Sequence, residues 1–296
     1  VPRFKFTVPQ ALDGLRLDQC LAHEIPELSR GKAKKVLAVG GVFLNKKRVK
    51  VAGRLVREGQ KIEVHTLDER ALPNQESAPR PVIPIVSQTD NYIVVDKPSG
   101  LFSAPTPETD QNDLVHFLEE DLHASGALSA GKHLHLIHRL DRPTSGLMVL
   151  AMQKTAAAAL SKQVAEHTMD RVYWALLAGE VHEATSVNLP IAQRQATTHF
   201  EPIEVNNGIS LVEARLETGR THQVRIHAES LGAPVAGDSK YGRRILRGLS
   251  TRPPRLALHA RALSFVDPAA KKKVEFQSDF PEELRSWAEN SSHQPA

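Results

Sequence analysis

The run His138-Arg139-Leu140-Asp141-Arg142-Pro143-Thr144-Ser145-Gly146-Leu147 puts one carboxylate between two guanidinium groups, in a turn bearing Pro143 and Gly146. Flanking arginines favour the ionised form and would keep Asp141 charged at neutral pH. A charged group held in a turn at the mouth of a cleft is placed where catalytic groups tend to sit. A strand-end ion pair on the surface would share these neighbours and contribute only ~0–1 kcal/mol. The residue types by themselves leave both readings open. Other chemistry is less well supported. His133, His135 and His138 suggest metal ligands, but strand alternation sends His138 to the face opposite the other two, so no metal is expected. Ser29 and Lys32 have the S-x-x-K spacing of acylating enzymes without a K-T-G companion. No phosphate-cradling or dinucleotide glycine pattern occurs. The single cysteine, Cys20, excludes an internal disulfide framework and a cysteine zinc cage, and its apolar helical setting predicts a buried structural thiol. Asn290-Ser291-Ser292 is a glycosylation triplet with no secretory signal beside it.

The elements that must position Asp141 follow from the apolar pattern. Residues 133–137 alternate like a strand, and 147–152 form an unbroken apolar run that reads as a fully buried strand. Upstream, 92–96 is a strand ending in the turn Lys97-Pro98-Ser99-Gly100, and 113–122 is a helix capped by Asn112. Downstream, 155–167 is an Ala-rich helix, and 171–177 and 211–217 are strands. Residues 221–231 read as a helix capped by Thr221 and stopped by Gly232. Strands and helices mix without regular alternation, which makes the fold class α+β. Near the N-terminus, 15–21 has a helical apolar face. Ser29 then caps a second helix reaching Val39, with Ala33, Val36, Leu37 and Gly40 as its buried stripe. Short strands are expected at 42–44 and 61–65. Residues 66–84, with four prolines and no apolar period, read as a linker between a domain over 1–65 and a larger one over 85–288; 289–296 is a polar tail.

Composition narrows the function. With 41% apolar and 24% charged residues the chain is ordinary globular material. No apolar run approaches ~18 residues, and the first residues lack the apolar core of a signal peptide, so a cytoplasmic protein is expected. Residues 1–65 hold 14 Lys/Arg against 6 Asp/Glu, while the remainder holds 24 against 28. A small segment carrying all the excess positive charge is the footprint of a polyanion-binding module. Arg30, Lys32, Lys34, Lys35, Lys46, Lys47 and Arg48 are its candidate phosphate contacts. A second basic stretch, from Ser239 to Val266, has no acidic residue and includes Lys240, Arg243 and Arg244.

HRLDxxTSGL resembles the signature of the RluA-type pseudouridine synthases, in which the Asp is catalytic, as nucleophile on the sugar or as base. Arg171-Val172-Tyr173-Trp174-Ala175 resembles the family's second motif, which implies that Tyr173 stacks on the target base; a strand tyrosine by itself is more often core. Gly219-Arg220-Thr221-His222-Gln223-Val224-Arg225-Ile226-His227 resembles the third, which implies that Arg225 pairs with the catalytic Asp. In the first turn of a helix a cation gains nothing from the macrodipole, so a carboxylate partner would explain Arg225; Glu229, four residues on, is the alternative. Asp96-Lys97-Pro98-Ser99-Gly100-Leu101 resembles the first motif. Ser103-Ala104-Pro105 stands where many relatives have a His, so no catalysis is assigned there. Residues 12–65 resemble the alpha-L RNA-binding domain, departing from it at Asn45-Lys46 where many members have Asn-Gly, which predicts a different turn.

Together these resemblances imply an RNA pseudouridine synthase with a mixed sheet, a central cleft and a small basic α/β domain for RNA. Large-subunit ribosomal RNA is the expected substrate, with transfer RNA second. Asp141, Tyr173 and Arg225 are the expected catalytic residues, and Arg139 joins the RNA contacts. The reaction is an isomerisation, so no cofactor is expected, and a monomer is. The alternative is a non-catalytic RNA-binding or RNA-folding factor on a synthase fold.

Overall fold

The structure is a computed structural model that describes residues 3–38, 40–65, 80–105 and 113–293. Val39, Asn112, most of the 66–84 stretch and the end of the 289–296 tail lie outside the described residues. The chain divides into a small N-terminal unit and a large one that begins at Val82.

The small unit contains β1 (Arg3–Thr7), α1 (Leu17–Glu24), α2 (Arg30–Ala38), β2 (Val42–Leu44), β3 (Lys47–Val49) and β4 (Lys61–His65). Its four-stranded antiparallel sheet has the order β1-β4-β2-β3. Leu17, Cys20 and Leu21 of α1 and Ala33, Val36 and Leu37 of α2 fall at helical spacing and pack into one core with Val42, Leu44, Ile62 and Val64. Ser29 caps α2, its Oγ accepting from Lys32 N at 3.2 Å. Both edge strands, β1 and β3, escape a reading of the apolar pattern because each is short and largely exposed. The β2–β3 hairpin overturns one expectation. Asn45 and Lys46 have φ of 50° and 65°, the double positive φ of the tight hairpin turn that Asn-Gly favours. The turn type is kept, and Lys46 occupies the position where glycine is usual.

The large unit contains β5 (Ile85–Gln88), β6 (Tyr92–Lys97), α3 (Leu114–Ala124), β7 (His135–Leu136), β8 (Ser145–Ala151), α4 (Lys154–Ala165) and β9 (Asp170–Ala178). It continues with β10 (Thr185–Asn188), β11 (Thr197–Asn206), β12 (Ile209–Leu216), α5 (Gln223–Ser230), β13 (Leu258–Val266), β14 (Lys273–Gln277) and α6 (Glu282–Glu289). Ten strands form one mixed sheet with the path β10-β11-β12-β9-β13-β8-β6-β5; β14 pairs with β13 and β7 with β8. The fold is α+β.

β8 is buried at all seven positions because helices cover both its faces. Met148 and Leu150 join Ile93 and Val95 under Leu114, Leu118 and Leu122 of α3. Leu147, Val149 and Ala151 face Ala156 and Leu160 of α4. Each such leucine, fully buried, contributes roughly 1.5–3 kcal/mol.

The pairing of β8 with β13 is parallel, in a sheet whose other pairings are antiparallel, and it places His259 opposite Ser145 and Ala260 opposite Gly146. A Cβ on Gly146 would stand 2.4 Å from the Ala260 carbonyl oxygen, and its φ is +114°. Glycine is required there for β13 to pass. Two helix starts differ from expectation. α3 is capped by Asp113, whose Oδ1 accepts from His116 N at 3.1 Å, rather than by Asn112. α5 starts two residues after Thr221, because His222 takes a left-handed φ of 60° and holds the N-cap position without a side-chain bond.

Candidate active site

Asp141 sits in the turn that leads into β8, closed by a Thr144 N–H to Asp141 carbonyl bond of 3.0 Å. The turn is clamped by the segment after β6. Lys97 is wholly buried, and its Nζ donates to the carbonyls of Pro98, Leu101 and Arg142 at 3.0, 2.9 and 3.3 Å. Ser99 Oγ donates to Pro143 O at 2.7 Å. Ser103 Oγ donates to Leu140 O at 2.7 Å and accepts from Leu140 N at 3.1 Å. Residues 97–103 therefore hold both shoulders of the turn, which gives the first motif and Ser103 a positioning role. Burial lowers the Lys97 ammonium to about 7.

The arginines beside Asp141 in sequence do not pair with it. Arg139 is exposed and donates to Thr221 Oγ1 at 3.3 Å. Arg142 donates to Gly100 O at 2.9 Å and lies over the Phe102 ring, 4.9 Å from its centroid. Successive side chains in a tight turn diverge, so adjacency did not become contact. The cation that reaches Asp141 is Arg225, 84 residues away, with Nη1 at 3.1 Å from Oδ2. Their side chains are 18% and 6% exposed, so this is not the weak surface pair that the sequence also allowed.

Arg225 projects from the first turn of α5. Its Nε and Nη2 donate to Asp238 Oδ2 and Oδ1 at 2.7 and 2.8 Å. This two-point fork fixes the guanidinium plane and leaves Nη1 for Asp141. Burial opposes the charge of Asp238, but bonds from Arg225 and from the N–H groups of Lys240 and Tyr241 outweigh it and hold the carboxyl below its ordinary range. Burial likewise opposes the charge of Arg225, and hydrogen bonds to Asp238 and Asp141 raise its pKa despite it. Glu229, the other partner considered for Arg225, is exposed.

His222 stands beside the pair, with Nε2 at 3.8 Å from Asp141 Oδ2 and Nδ1 at 2.9 Å from the Tyr241 hydroxyl. Burial lowers its pKa, which keeps the imidazole neutral at pH 7. The Tyr241 ring lies 5.2 Å from the Arg225 guanidinium carbon. Tyr173, on β9, lines the same cleft with Thr144, Leu216, Val224 and Leu258. Charged groups and apolar side chains together in its lining suit a flat base attached to a reacting sugar.

Sequence reasoning missed Lys97, Ser103, His222, Asp238 and Tyr241 as parts of this arrangement. Asp238 and Tyr241 lie in the noted run Gly237-Asp238-Ser239-Lys240-Tyr241-Gly242, but nothing in the spacing shows that it folds back on Arg225. Gln223 accounts for its own place in the third motif: its side chain bonds Thr218, Arg220, Thr197 and Thr198, tying α5 to β11. Two histidines of the 133–138 run have separate partners. His133 meets Glu119 at 3.2 Å, and His138 Nε2 accepts from Val149 N at 3.3 Å. Burial pushes the thiol of Cys20 up to about 11.

The expected RNA contacts divide into two kinds. Lys32, Lys35, Lys46, Lys47 and Arg48 are exposed on α2 and the β2–β3 hairpin. Arg30 and Lys34 instead turn toward the buried Asp18, at 3.3 and 4.0 Å, and Arg16 reaches it at 3.1 Å. In the large unit Lys240, Arg243 and Arg244 are exposed; Arg243 bonds Ser239 O at 2.6 Å, and Lys240 lies 5.2 Å from the centre of the Tyr241 ring.

A family model described as RNA pseudouridylate synthase matches residues 91–230, and a model of the S4 domain matches 15–62. The ribosomal large subunit pseudouridine synthase D of Zymomonas mobilis is 32% identical, with 96% of each chain covered. An uncharacterized RNA pseudouridine synthase, YlyB, of Bacillus subtilis is 30% identical, with 93% of each covered. The solved human RNA pseudouridylate synthase domain containing 4 shares the fold, with a TM-score of 0.57 and 24% identity over 72% of this chain and 95% of that one. No helix among the described residues is long and apolar enough to cross a membrane. The chain thus belongs to the RNA pseudouridylate synthase family, RNA-modifying isomerases, here with an S4 domain at its N-terminus.

Proposed function

We propose that this chain isomerises specific uridines of large-subunit ribosomal RNA, with Asp141 as the catalytic carboxylate. The observation that carries the reading is the part-buried contact of Asp141 with Arg225 at 3.1 Å, in the cleft lined by Tyr173. The reaction breaks the bond from the ribose anomeric carbon to N1 of uracil and rebuilds it to C5. The proton on C5 leaves and one is returned to N1, so atoms and charge balance without a redox partner. Asp141 acts at the sugar, as nucleophile or as base at the 2′ carbon. Arg225 fixes the carboxylate that acts, and Tyr173 offers a face on which a detached base can turn. The target base must leave its stack to enter, which costs least in a loop.

Within this reading residues 1–65 are the RNA-binding domain, 66–84 the linker, 85–288 the catalytic domain and 289–296 a tail. Exposed cations of the first, with Arg139, Lys240, Arg243 and Arg244 of the second, gather the phosphate backbone. Ribosomal RNA is favoured because relatives that match nearly the whole chain carry that substrate in their names. The test is to map pseudouridines in ribosomal and transfer RNA from cells with the gene, without it, and with an Asp141→Asn copy. Sites lost on deletion and restored by the wild type alone support the reading. Sites restored equally by Asp141→Asn would leave only a non-catalytic RNA factor.

A further inference from the structure

Among the described residues, five buried side-chain polar atoms lack a hydrogen-bond partner; one, Thr144 Oγ1, belongs to a residue lining the cleft, and two, His138 Nδ1 and Arg171 Nε, belong to residues one or two positions from lining residues. Thr144 lines the cleft, His138 precedes the lining residue Arg139, and Arg171 is two residues from Tyr173 on β9. Arg171 brings a charge. It is 8% exposed, its Nε is buried without a hydrogen-bond partner, and no carboxylate among the described residues forms an ion pair with it. A buried cation without a counter-charge is costly, and proteins ordinarily pair it.

Its position is built. A Cβ on Gly219 would stand 2.5 Å from Arg171 Nη1, so the guanidinium lies against the bare backbone of the loop before α5. The next residue in that loop, Arg220, lines the cleft, as does Arg139. Arg171 is also the charge that bears on the neighbouring His138. The guanidinium therefore lies against the loop that carries the cleft-lining Arg220. Because the Val149 N–H donates to Nε2 of His138, the ring proton is on Nδ1, a second donor without an acceptor. The two side chains offer positive charge and donors, which is the complement of an anion. Alternate residues of a strand share a face, so Arg171 stands about 7 Å along β9 from Tyr173, the reach from a stacked base to a phosphate of its own nucleotide.

We propose that Arg171 receives a phosphodiester group flanking the target uridine, so that the substrate supplies the counter-charge missing from the protein. The proposal rests on the reading of the cleft as the uridine site. It makes Arg171 a substrate-binding residue distinct from the carboxylate–arginine pair that does the chemistry. A lysine would satisfy it only in part, since an ammonium cannot present the same planar fork.

The experiment uses an oligoribonucleotide carrying a uridine mapped as above, with normal phosphates throughout or with a neutral methylphosphonate on the 5′ or the 3′ side of that uridine. One of the two neutral linkages should lower wild-type kcat/KM by about 10- to 100-fold. Arg171→Met should show a similar loss on the normal RNA and little further loss on that neutral linkage, while Arg171→Lys recovers part of the rate. The thermal midpoint of Arg171→Met should hold or rise, because an unpaired buried charge has gone. Losses that multiply, wild-type indifference to both neutral linkages, or a fall in midpoint that tracks the fall in rate would each overturn the proposal. A wild-type enzyme inert on the normal RNA would overturn the uridine-site reading, and the proposal with it.

Discussion

Lys32, Lys35, Lys46, Lys47 and Arg48 stand exposed on α2 and the β2–β3 hairpin of the small unit, whereas Arg225 and Asp238 are buried, Asp141 is half-buried, and Arg225 bonds both carboxylates. Exposed lysines keep their rotamer freedom and are screened by salt, which suits attraction to any stretch of phosphate backbone. The trio has one geometry, set by the two-point fork of Arg225 on Asp238, which suits a reaction needing a carboxylate at one place. Charge that gathers a polyanion can be spread and redundant. Charge that does chemistry is single and held. Asp18 marks the border between the two, drawing Arg16, Arg30 and Lys34 inward even within the basic unit.

The sharpest break of this contrast is Asp141→Asn, which keeps size and removes charge. Single-turnover isomerisation should fall by roughly 10²–10⁴-fold, while RNA affinity in a filter or anisotropy assay barely changes. Turnover within about tenfold of wild type would remove Asp141 from the chemistry.

Arg225→Met comes next. It strands the buried carboxylate of Asp238 beside the half-buried Asp141 and should cost about 3–5 kcal/mol in urea unfolding. Adding Asp238→Leu should restore much of that stability and none of the activity. A single variant as stable as wild type would show that the trio is not held as its geometry implies.

Lys97→Met tests the clamp through pH. Burial holds Lys97 at about 7 in the folded protein, against about 10.4 in an unfolded chain. Between those values the unfolded chain binds the extra proton, so the Lys97 contribution to stability rises with pH. The stability of wild type relative to Lys97→Met should therefore rise from pH 7 toward pH 10. A flat difference would mean that the ammonium is not strained by burial.

The smallest effect belongs to the hairpin. Lys46→Gly relieves a positive φ and should stabilise the small unit by about 1 kcal/mol. The slope of log affinity for RNA against log salt should drop by no more than ~0.9, as for one phosphate contact. A larger drop would make Lys46 a specific contact rather than one cation among several.

Much of this molecule can be read from residue order. The apolar periods locate α2, α4, β8, β9 and β12, because helix and strand spacing are local properties that burial on one or both faces imposes. Asp141, Tyr173 and Arg225 stand out in the sequence by their motifs, and the structure brings all three to one cleft. Other features are decided only by chain segments far apart. Arg225 rather than Arg139 or Arg142 meets Asp141 because α5 returns across the sheet, while the turn points its own neighbours elsewhere. The forked partner Asp238, the clamp from Lys97 and Ser103, and the unpaired Arg171 are likewise contacts of tertiary origin. The parallel β8–β13 pairing that makes Gly146 obligatory joins residues more than a hundred positions apart. Local sequence determined which side chains are available and which elements carry them. Which charge meets which was settled by packing, since a pairwise contact depends on where two elements cross and not on the spacing within either one.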